Sequence, residues 1–270
     1  KNLNIKFDLK IHTDLSYFIE FLEKIKKNKK LEWKNLKKFK KLNWYRPTLN
    51  VLPNSDYFIK ELTSKITEKK CLIVDGGGTA LYSGFQSSNI KTNDRLICSS
   101  AISSMGTGLA ETIGAWESKF FKELVCIIGD GSFIMNIQDL QTIKQKNINV
   151  KILLINNNGY LAIRNTQKEF LNKKYYGTHP SWKLKMPKFK SIIESYEIPY
   201  CKVTKVKEIN EKVLFLKKAK GPIVCEIFTD ENQPSLFKQG YKKMPNNQFE
   251  PQTLEEMYPF IDQPMSNTNN

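Results

Sequence analysis

Short apolar runs that alternate with helix-length segments constrain the fold of this chain more than any other feature of its sequence. Each run is four to six residues long, which is typical of a buried strand and too short for an ordinary helix. The runs cover residues 71–74, 95–98, 124–128, 150–155, 200–203 and 223–228. Because parallel neighbours need crossover connections, the alternation predicts a doubly wound α/β domain, with a mostly parallel sheet and helices on both faces.

The predicted helices lie near residues 57–68, 105–119, 136–146, 160–170, 189–196 and 207–218. These elements define a domain over residues 56–230, followed by a C-terminal tail over 231–270. Residues 1–55 contain an amphipathic helical stretch, Leu15–Lys27, and then a lysine- and tryptophan-rich linker. We therefore expect three parts, of which only the middle one has an α/β core.

The net charge of +16 raises nucleic acid or an anionic membrane as partners. Only three of the basic residues are arginines, the lysines are densest in 24–41, and no nucleic-acid-binding motif is present. No apolar stretch reaches the roughly 20 residues that span a bilayer. The five cysteines have no metal-ligand spacing and lie mostly in strand-like runs, so we expect reduced core thiols. The sequence favours a cytoplasmic protein with neither partner; a basic nucleic-acid-binding protein is the minor alternative.

Two oxygen-bearing clusters follow neighbouring apolar runs. Gly129-Asp130-Gly131-Ser132 comes after the third run, and Asn156-Asn157-Asn158 comes after the fourth. Asp130 and Asn157 are 27 residues apart (157 − 130), the length that one helical crossover between adjacent parallel strands consumes. Mg²⁺ prefers oxygen ligands, and a following helix directs backbone amides at a phosphate. The pair predicts a magnesium-diphosphate site, against the alternative of a glycine turn and a polar helix cap.

A third strand end carries Asp75-Gly76-Gly77-Gly78, and the predicted helix near residues 105–119 contains glycines 106, 108 and 114. Glycines at these positions let backbone approach a neighbour or a ligand closely. A non-catalytic nucleotide- or phosphate-binding module would use the same strand-end glycines and stays open as an alternative. The chain has no Gly-x-x-x-x-Gly-Lys-Ser/Thr loop and no clean dinucleotide spacing.

The chain resembles the thiamine diphosphate-dependent enzymes, whose signature is Gly-Asp-Gly followed after about two dozen residues by Asn-Asn. It is most similar to the acetolactate synthase branch over residues 74–85, 100–115, 129–167 and 221–230, with a weaker similarity over 15–22. The resemblance implies that 56–230 is the diphosphate- and magnesium-binding domain. It also implies that 1–55 are the end of the family's central domain.

By this resemblance, Asp130 and Asn157 coordinate Mg²⁺ through their side chains and Gly159 through its carbonyl. Met105 corresponds to the residue that wedges beneath the bent cofactor, although a core methionine at a helix start is the alternative. The cofactor-binding residues that the resemblance implies are Gly76, Gly77, Gly78, Thr79, Ser103, Ser104, Met105, Gly131, Ser132, Asn157 and Tyr160.

The implied reaction is the decarboxylation of a pyruvate-like 2-oxo acid, with ligation of the product to a carbonyl acceptor. Arg164 is a candidate partner for a substrate carboxylate or phosphate, and a structural or solvated arginine is its alternative. Thr166 stands where acetolactate synthases carry a tryptophan in the acceptor pocket. The family's activating glutamate lies on a pyrimidine-binding domain, which we expect from a preceding segment or a partner chain. A homo-oligomer is implied, and FAD in other domains stays open.

Overall fold

The computed structural model describes residues 12–24, 52–66, 69–99, 101–231, 233, 238–239, 241–245, 248–251 and 257–258. The chain divides into two compact units, Lys1–Arg46 and Pro47–Asn270. In the first unit, helix α1 spans Leu15–Lys24, and the Asp14 carboxylate accepts a hydrogen bond from the Ser16 N–H. The predicted end of this helix at Lys27, and the lysine- and tryptophan-rich linker after it, lie outside the described residues.

The second unit is built on six strands. They are β1 (Cys71–Val74), β2 (Arg95–Ile97), β3 (Leu124–Gly129), β4 (Val150–Asn156), β5 (Tyr200–Val203) and β6 (Ile223–Phe228). All six are parallel, in the order β2-β1-β3-β4-β6-β5. The chain therefore leaves the centre of the sheet in both directions, as a doubly wound sheet requires.

The helices of this unit are α2 (Ser55–Lys65), α3 (Gly78–Ser87), α4 (Thr107–Glu117), α5 (Asp130–Phe133), α6 (Asp139–Gln145), α7 (Leu161–Phe170), α8 (Phe189–Ser195) and α9 (Ile209–Lys218). Short 3₁₀ turns cover Ile134–Asn136, Pro180–Trp182 and Val206–Glu208. Asn54 caps α2, because its side chain accepts a hydrogen bond from the Tyr57 N–H. Among the described residues, no helix combines the length and the apolar character needed to cross a membrane.

Two apolar cores cover the two faces of the sheet. Alternate strand residues such as Leu72, Val125 and Leu153 face one core together with α2 and α9, and their neighbours face a second core with α4, α6 and α8. The four inner strands β1, β3, β4 and β6 are buried on both faces for almost their whole length, which explains why they appear in the sequence as nearly continuous apolar runs. The predicted fold class is confirmed.

Two differences from the sequence prediction matter for the site. Helix α3 follows Gly77 directly, although the glycine-rich stretch gave no sign of a helix there. The helix predicted near residues 136–146 is present as α6, but two short pieces that the sequence did not predict precede it, and the first of them, α5, begins at Asp130 itself. Beyond β6 the chain forms two antiparallel strand pairs, β7 (Lys238–Gln239) with β10 (Met257–Tyr258) and β8 (Tyr241–Lys243) with β9 (Phe249–Pro251).

Candidate functional site

The two clusters predicted to hold a metal lie at neighbouring strand ends. The register of β3 and β4 pairs Gly129 with Ile155, so both strands finish at the same edge of the sheet. Asp130 follows the end of β3 and Asn157 follows the end of β4. The Asp130 side chain reaches the backbone just after the asparagine cluster, because the Gly159 N–H donates to Asp130 Oδ2 at 2.8 Å.

Asp130 is a buried carboxylate with 1% of its surface exposed. Its Oδ1 accepts a hydrogen bond from the Gly131 N–H at 2.8 Å, and its Oδ2 accepts the bond from Gly159. Burial raises the pKa of the Asp130 carboxyl to about 7, although the backbone N–H groups and the Arg164 guanidinium oppose this shift. Burial makes the charged form of this carboxylate unfavourable, and a divalent cation beside it would stabilise that form.

Asn157 presents an oxygen without a partner. Its side chain is 4% exposed, and its Nδ2 donates to Thr79 Oγ1 at 3.0 Å. Its Oδ1 is buried and has no hydrogen-bond partner among the described residues. An unsatisfied buried acceptor costs about 1–3 kcal/mol, which a metal ligand avoids once the metal is bound. The amide orientation set by Thr79 therefore leaves an oxygen of the kind that Mg²⁺ prefers.

The third predicted ligand is the carbonyl of Gly159. This oxygen accepts the Leu161 N–H at 3.1 Å, which engages one of its two lone pairs. Gly159 has a φ of +120°, a backbone conformation that residues other than glycine rarely adopt. The donor set of one carboxylate and two neutral oxygens fits a magnesium ion that takes its remaining ligands from phosphate and water.

A cleft opens beside these groups and gathers most of the predicted cofactor-binding residues. It is lined by Gly77, Gly78, Thr79, Met105, Gly129, Asp130, Gly131, Ser132, Asn157, Gly159, Tyr160, Leu161, Ala162 and Ile163. Its walls approach closely: a Cβ added to Gly131 would lie 2.4 Å from the Tyr160 ring. A Cβ on Gly77 would lie 2.4 Å from Ser132 Oγ, so neither position accepts a larger residue.

Asp75, which the sequence places at a strand end of the site, has a supporting role that the sequence did not reveal. Its carboxylate is completely buried; Oδ1 accepts from the N–H groups of Gly106 (2.9 Å) and Gly108 (3.0 Å). Oδ2 accepts from Gly77 at 3.0 Å. One carboxylate thus joins the loop after β1 to the loop that carries Met105. Its position at a strand end, before three glycines, was the available signal.

Three further residues predicted to bind the cofactor do not line the cleft. Gly76, Ser103 and Ser104 are not in the cleft lining, and a Cβ on Gly76 would come within 2.4 Å of the Ser104 carbonyl oxygen. Met105 itself is half-buried and lines the cleft. The loops that carry these residues touch each other, so Gly76 and the two serines support the position of Met105 and do not border the open space.

The two candidate substrate residues lie outside the cleft. Arg164 has 4% of its surface exposed, and its guanidinium donates to backbone carbonyls; the residue borders a separate cavity with Tyr175 and Glu231 and not the cleft. Thr166 is exposed on α7, with its Oγ1 donating to the Ala162 carbonyl at 3.3 Å. The exposed side chain of this helix that does border the cleft is Ile163.

A second network fixes the start of the asparagine cluster. Asn156 Nδ2 donates to Glu226 Oε1 at 2.6 Å, and Asn156 Oδ1 accepts the Asn158 N–H at 3.0 Å. Glu226 lies on β6 and also accepts from the Tyr200 hydroxyl. The first asparagine is therefore bonded to the sheet, while the second faces the cleft. The local residue pattern does not distinguish these two roles, and only the resemblance to the family had assigned the ligand role to Asn157.

A protein-family model described as "Thiamine pyrophosphate enzyme, C-terminal TPP binding domain" matches residues 76–227, more than half of the chain. The match contains every element from α3 to β6 except the last residue of that strand, and it includes all the residues that line the cleft.

Curated relatives show the same similarity. The chain is 34% identical over 138 residues to the acetolactate synthase large subunit of Cyanidium caldarium, covering 50% of the chain and 23% of that protein. It is 34% identical over 211 residues to the acetolactate synthase large subunit of Buchnera aphidicola subsp. Acyrthosiphon pisum, with coverages of 74% and 35%. An uncharacterized protein of Methanocaldococcus jannaschii is 28% identical over 240 residues, with coverages of 87% and 42%. The chain spans less than half the length of these relatives.

We expect the replacement Asp75→Ala to destabilise the fold. It removes the acceptor of three buried backbone N–H groups, and each unsatisfied group costs about 1–3 kcal/mol before relaxation. Chemical denaturation measures the free energy of unfolding. Asp139→Ala, which removes a half-buried carboxylate at the start of α6, is the control and should change stability by less than about 1 kcal/mol. Equal stability of the two variants would show that Asp75 does not hold the two loops.

Proposed function

The chain belongs to the thiamine pyrophosphate enzymes, and we propose that its cleft binds the diphosphate of thiamine diphosphate together with Mg²⁺. We propose further that the protein uses this cofactor to decarboxylate a 2-oxo acid and to ligate the product to a carbonyl acceptor. The single observation that carries the proposal is the buried, unpartnered Oδ1 of Asn157 beside the buried carboxylate of Asp130.

The charge of the site supports a metal as well as an anion. Asp130 is the only acidic residue in the cleft lining, and no group of three or more His, Cys, Asp or Glu side chains suited to a metal occurs in the described part of the chain. Such a site binds Mg²⁺ weakly by itself and needs the oxygens of a bound diphosphate to complete the coordination. Metal and cofactor are therefore expected to bind together.

The residues around the metal have separate roles. Asp130 and Asn157 would hold Mg²⁺ through their side chains and Gly159 through its carbonyl, while the Ser132 hydroxyl and the Gly131 backbone would contact the diphosphate. Met105 would support the bent form of the cofactor. Tyr160, Leu161 and Ile163 line the same cleft and would exclude water from the reacting groups. Thiamine diphosphate, when bound, supplies the nucleophilic carbon and the electron sink that decarboxylation requires.

The described residues supply half of such a site. We propose that the pyrimidine half of the cofactor is held by a pyrimidine-binding domain with the activating glutamate, either in the same polypeptide or in a partner chain of a homo-oligomer. Residues 1–55 would then be the end of a central domain, and FAD in other domains stays open.

The donor we propose is a pyruvate-like 2-oxo acid, on the basis of the similarity to acetolactate synthase large subunits. The acceptor differs from that of acetolactate synthases in this proposal, since the position of their acceptor-pocket tryptophan is the exposed Thr166.

Calorimetry tests the binding of the cofactor. We expect the chain to bind thiamine diphosphate in the presence of Mg²⁺ and to lose this binding when Mg²⁺ is chelated. The replacements Asp130→Ala and Asn157→Ala each remove a metal ligand and should weaken binding by at least about tenfold.

The control variants are Asp139→Ala and Asn165→Ala, which remove the same side-chain types outside the cleft. Both should bind like the unmodified chain. Equal binding by Asp130→Ala and Asp139→Ala would contradict the proposed site. Preference for ADP over thiamine diphosphate would favour the nucleotide-binding alternative.

Binding should also depend on pH. The unfolded state loses the Asp130 proton near the ordinary carboxyl pKa, whereas the folded, metal-free chain keeps it up to a pKa of about 7. The free energy of unfolding of the metal-free chain therefore decreases as the pH rises from the ordinary carboxyl pKa to about 7, and it is constant above that pH. Mg²⁺ competes with this proton, so affinity should fall by up to about tenfold per pH unit below 7.

Titrations of the unmodified chain with Mg²⁺ and thiamine diphosphate at pH 6, 7 and 8 measure this effect. The largest change in affinity should occur between pH 6 and 7. An affinity that is flat over this range would show that Asp130 is not the proton-binding metal ligand.

The reaction is tested on the protein with its pyrimidine-binding domain present. With pyruvate, Mg²⁺ and thiamine diphosphate, we expect release of carbon dioxide, and a product with a new carbon–carbon bond when a carbonyl acceptor is added. Replacement of Asp130 by Ala should reduce the rate by at least about 100-fold, because the cofactor is no longer held. Cofactor binding without release of carbon dioxide from any 2-oxo acid would contradict the catalytic part of the proposal.

A further inference from the structure

Arg164 is a buried cation whose hydrogen bonds go to backbone carbonyls. Its NH2 group donates to the carbonyl of Asn157 at 2.7 Å, and its NH1 group donates to the carbonyls of Asn158 (3.0 Å) and Thr178 (2.9 Å). A longer contact of 3.4 Å joins NH2 to the carbonyl of Glu231. One guanidinium therefore reaches three separate segments of the chain.

Two of these carbonyls belong to the metal loop, which we define as residues 156–160. Asn157 and Gly159 in this loop are the proposed metal ligands, and a Cβ added to Gly159 would lie 3.1 Å from the Arg164 NH1 group. The guanidinium thus lies directly behind the loop, on the side away from the cleft lining. It touches the backbone of Asn157 and leaves the side chain of that residue to Thr79 and the metal.

Within the part of the chain that the structure describes, no ion pair joins the buried Arg164 guanidinium to a carboxylate. A buried charge is costly unless hydrogen bonds satisfy it. Burial accordingly lowers the pKa of the Arg164 guanidinium, against the opposing influence of Asp130 and Glu231. The carbonyls satisfy the charge, and in turn their positions are fixed by it.

The Thr178 side of this arrangement is itself anchored. Thr178 Oγ1 donates to Gln167 Oε1 at 2.5 Å, and Gln167 Nε2 donates to the Tyr176 carbonyl at 3.1 Å. Gln167 is three residues after Arg164 on α7, so both side chains lie on the same face of the helix. Arg164 and Gln167 of helix α7 therefore both bond to the segment around Thr178, and Arg164 connects this segment to the metal loop.

We propose that Arg164 is the positioning residue of the metal loop: its guanidinium holds the Asn157 and Asn158 carbonyls so that the Asn157 side chain is presented to the metal before the cofactor arrives. This rests on the proposed function, because the ligand that benefits is the Mg²⁺-diphosphate group. Lysine cannot replace arginine here, since a single ammonium lacks the planar arrangement of donors that reaches carbonyls in three segments.

Hydrogen–deuterium exchange on the metal-free chain tests the loop directly. In the unmodified chain, peptides covering 156–161 should exchange much more slowly than the exposed turn 90–94. In Arg164→Lys, the same peptides should exchange at least about tenfold faster, while peptides from β3 keep their protection, because only the loop loses its support. Lys168→Gln, which removes an exposed cation one turn further along α7, is the matched control and should leave the loop unchanged.

Binding of Mg²⁺ with thiamine diphosphate is measured on the same variants. Arg164→Lys should weaken the apparent Mg²⁺ affinity by about 10- to 100-fold, as losses behind a metal ligand do, and Lys168→Gln should have no effect. High Mg²⁺ should restore binding in Arg164→Lys, which a globally damaged fold would not allow.

Three results would overturn the proposal. The first is rapid exchange of 156–161 in the unmodified chain, which tests the idea even if Arg164→Lys fails to fold. The second is unchanged exchange in Arg164→Lys, and the third is faster exchange with unchanged Mg²⁺ affinity. An unmodified chain that binds no thiamine diphosphate would contradict the proposed function and the metal role together. Equal binding by the unmodified chain and by Arg164→Lys, which is the affinity part of the third result, would contradict the role of Arg164 alone.

Discussion

The parallel register between β3 and β4 is the constraint on which the rest of the site depends. It pairs Gly129 with Ile155, so that both strands finish at the same edge of the sheet and Asp130 comes beside the asparagine cluster. The hydrogen bond from the Gly159 N–H to Asp130 closes this junction. A slip of one residue would move each side chain of a buried strand to the opposite face of the sheet and into the other core. The packing of the two cores therefore fixes the register, and with it the spacing of the proposed metal ligands.

Buried polar groups that bond to backbone then shape the loops around this junction. Asp75 joins the loop after β1 to the loop that carries Met105, and Arg164 supports the loop after β4 from behind. Both side chains are charged, both are buried, and both use backbone rather than an opposite charge to satisfy their hydrogen bonds. Loops held in this way stay rigid at the cost of desolvating a charge, which suits a site that must hold a ligand in one geometry.

The family model and the curated relatives agree with the resemblance found in the sequence, and they place the chain in the thiamine pyrophosphate enzymes. The six strands of the parallel sheet could be predicted to within one residue, because they appear in the sequence as short apolar runs, whereas β7 to β10 beyond them were not predicted. Helix α3 could not, since it begins with glycine and threonine directly after a run of glycines, and it packs against α2, β1 and β3. The metal-ligand and domain assignments stay predictions, and Arg164 shows why residue type alone is a weak guide: its burial on carbonyls depends on segments 14 and 67 residues further along the chain.

The fold class and the edge of the sheet at which the site lies could be predicted from the sequence, because apolar periodicity and a spacing of one crossover indicate them. The family followed from the resemblance of the Gly-Asp-Gly and Asn-Asn motifs to a known signature, and the family model agrees with it. The resemblance had already singled out Asp130, Ser132 and Asn157, which line the cleft, but only the tertiary structure shows what holds each polar residue in place. Asn156 and Asn157 are identical in type and adjacent in sequence, yet one bonds to Glu226 and the other keeps a buried oxygen without a partner among the described residues. That difference arises from contacts with residues 70 and 78 positions away, which no local pattern encodes.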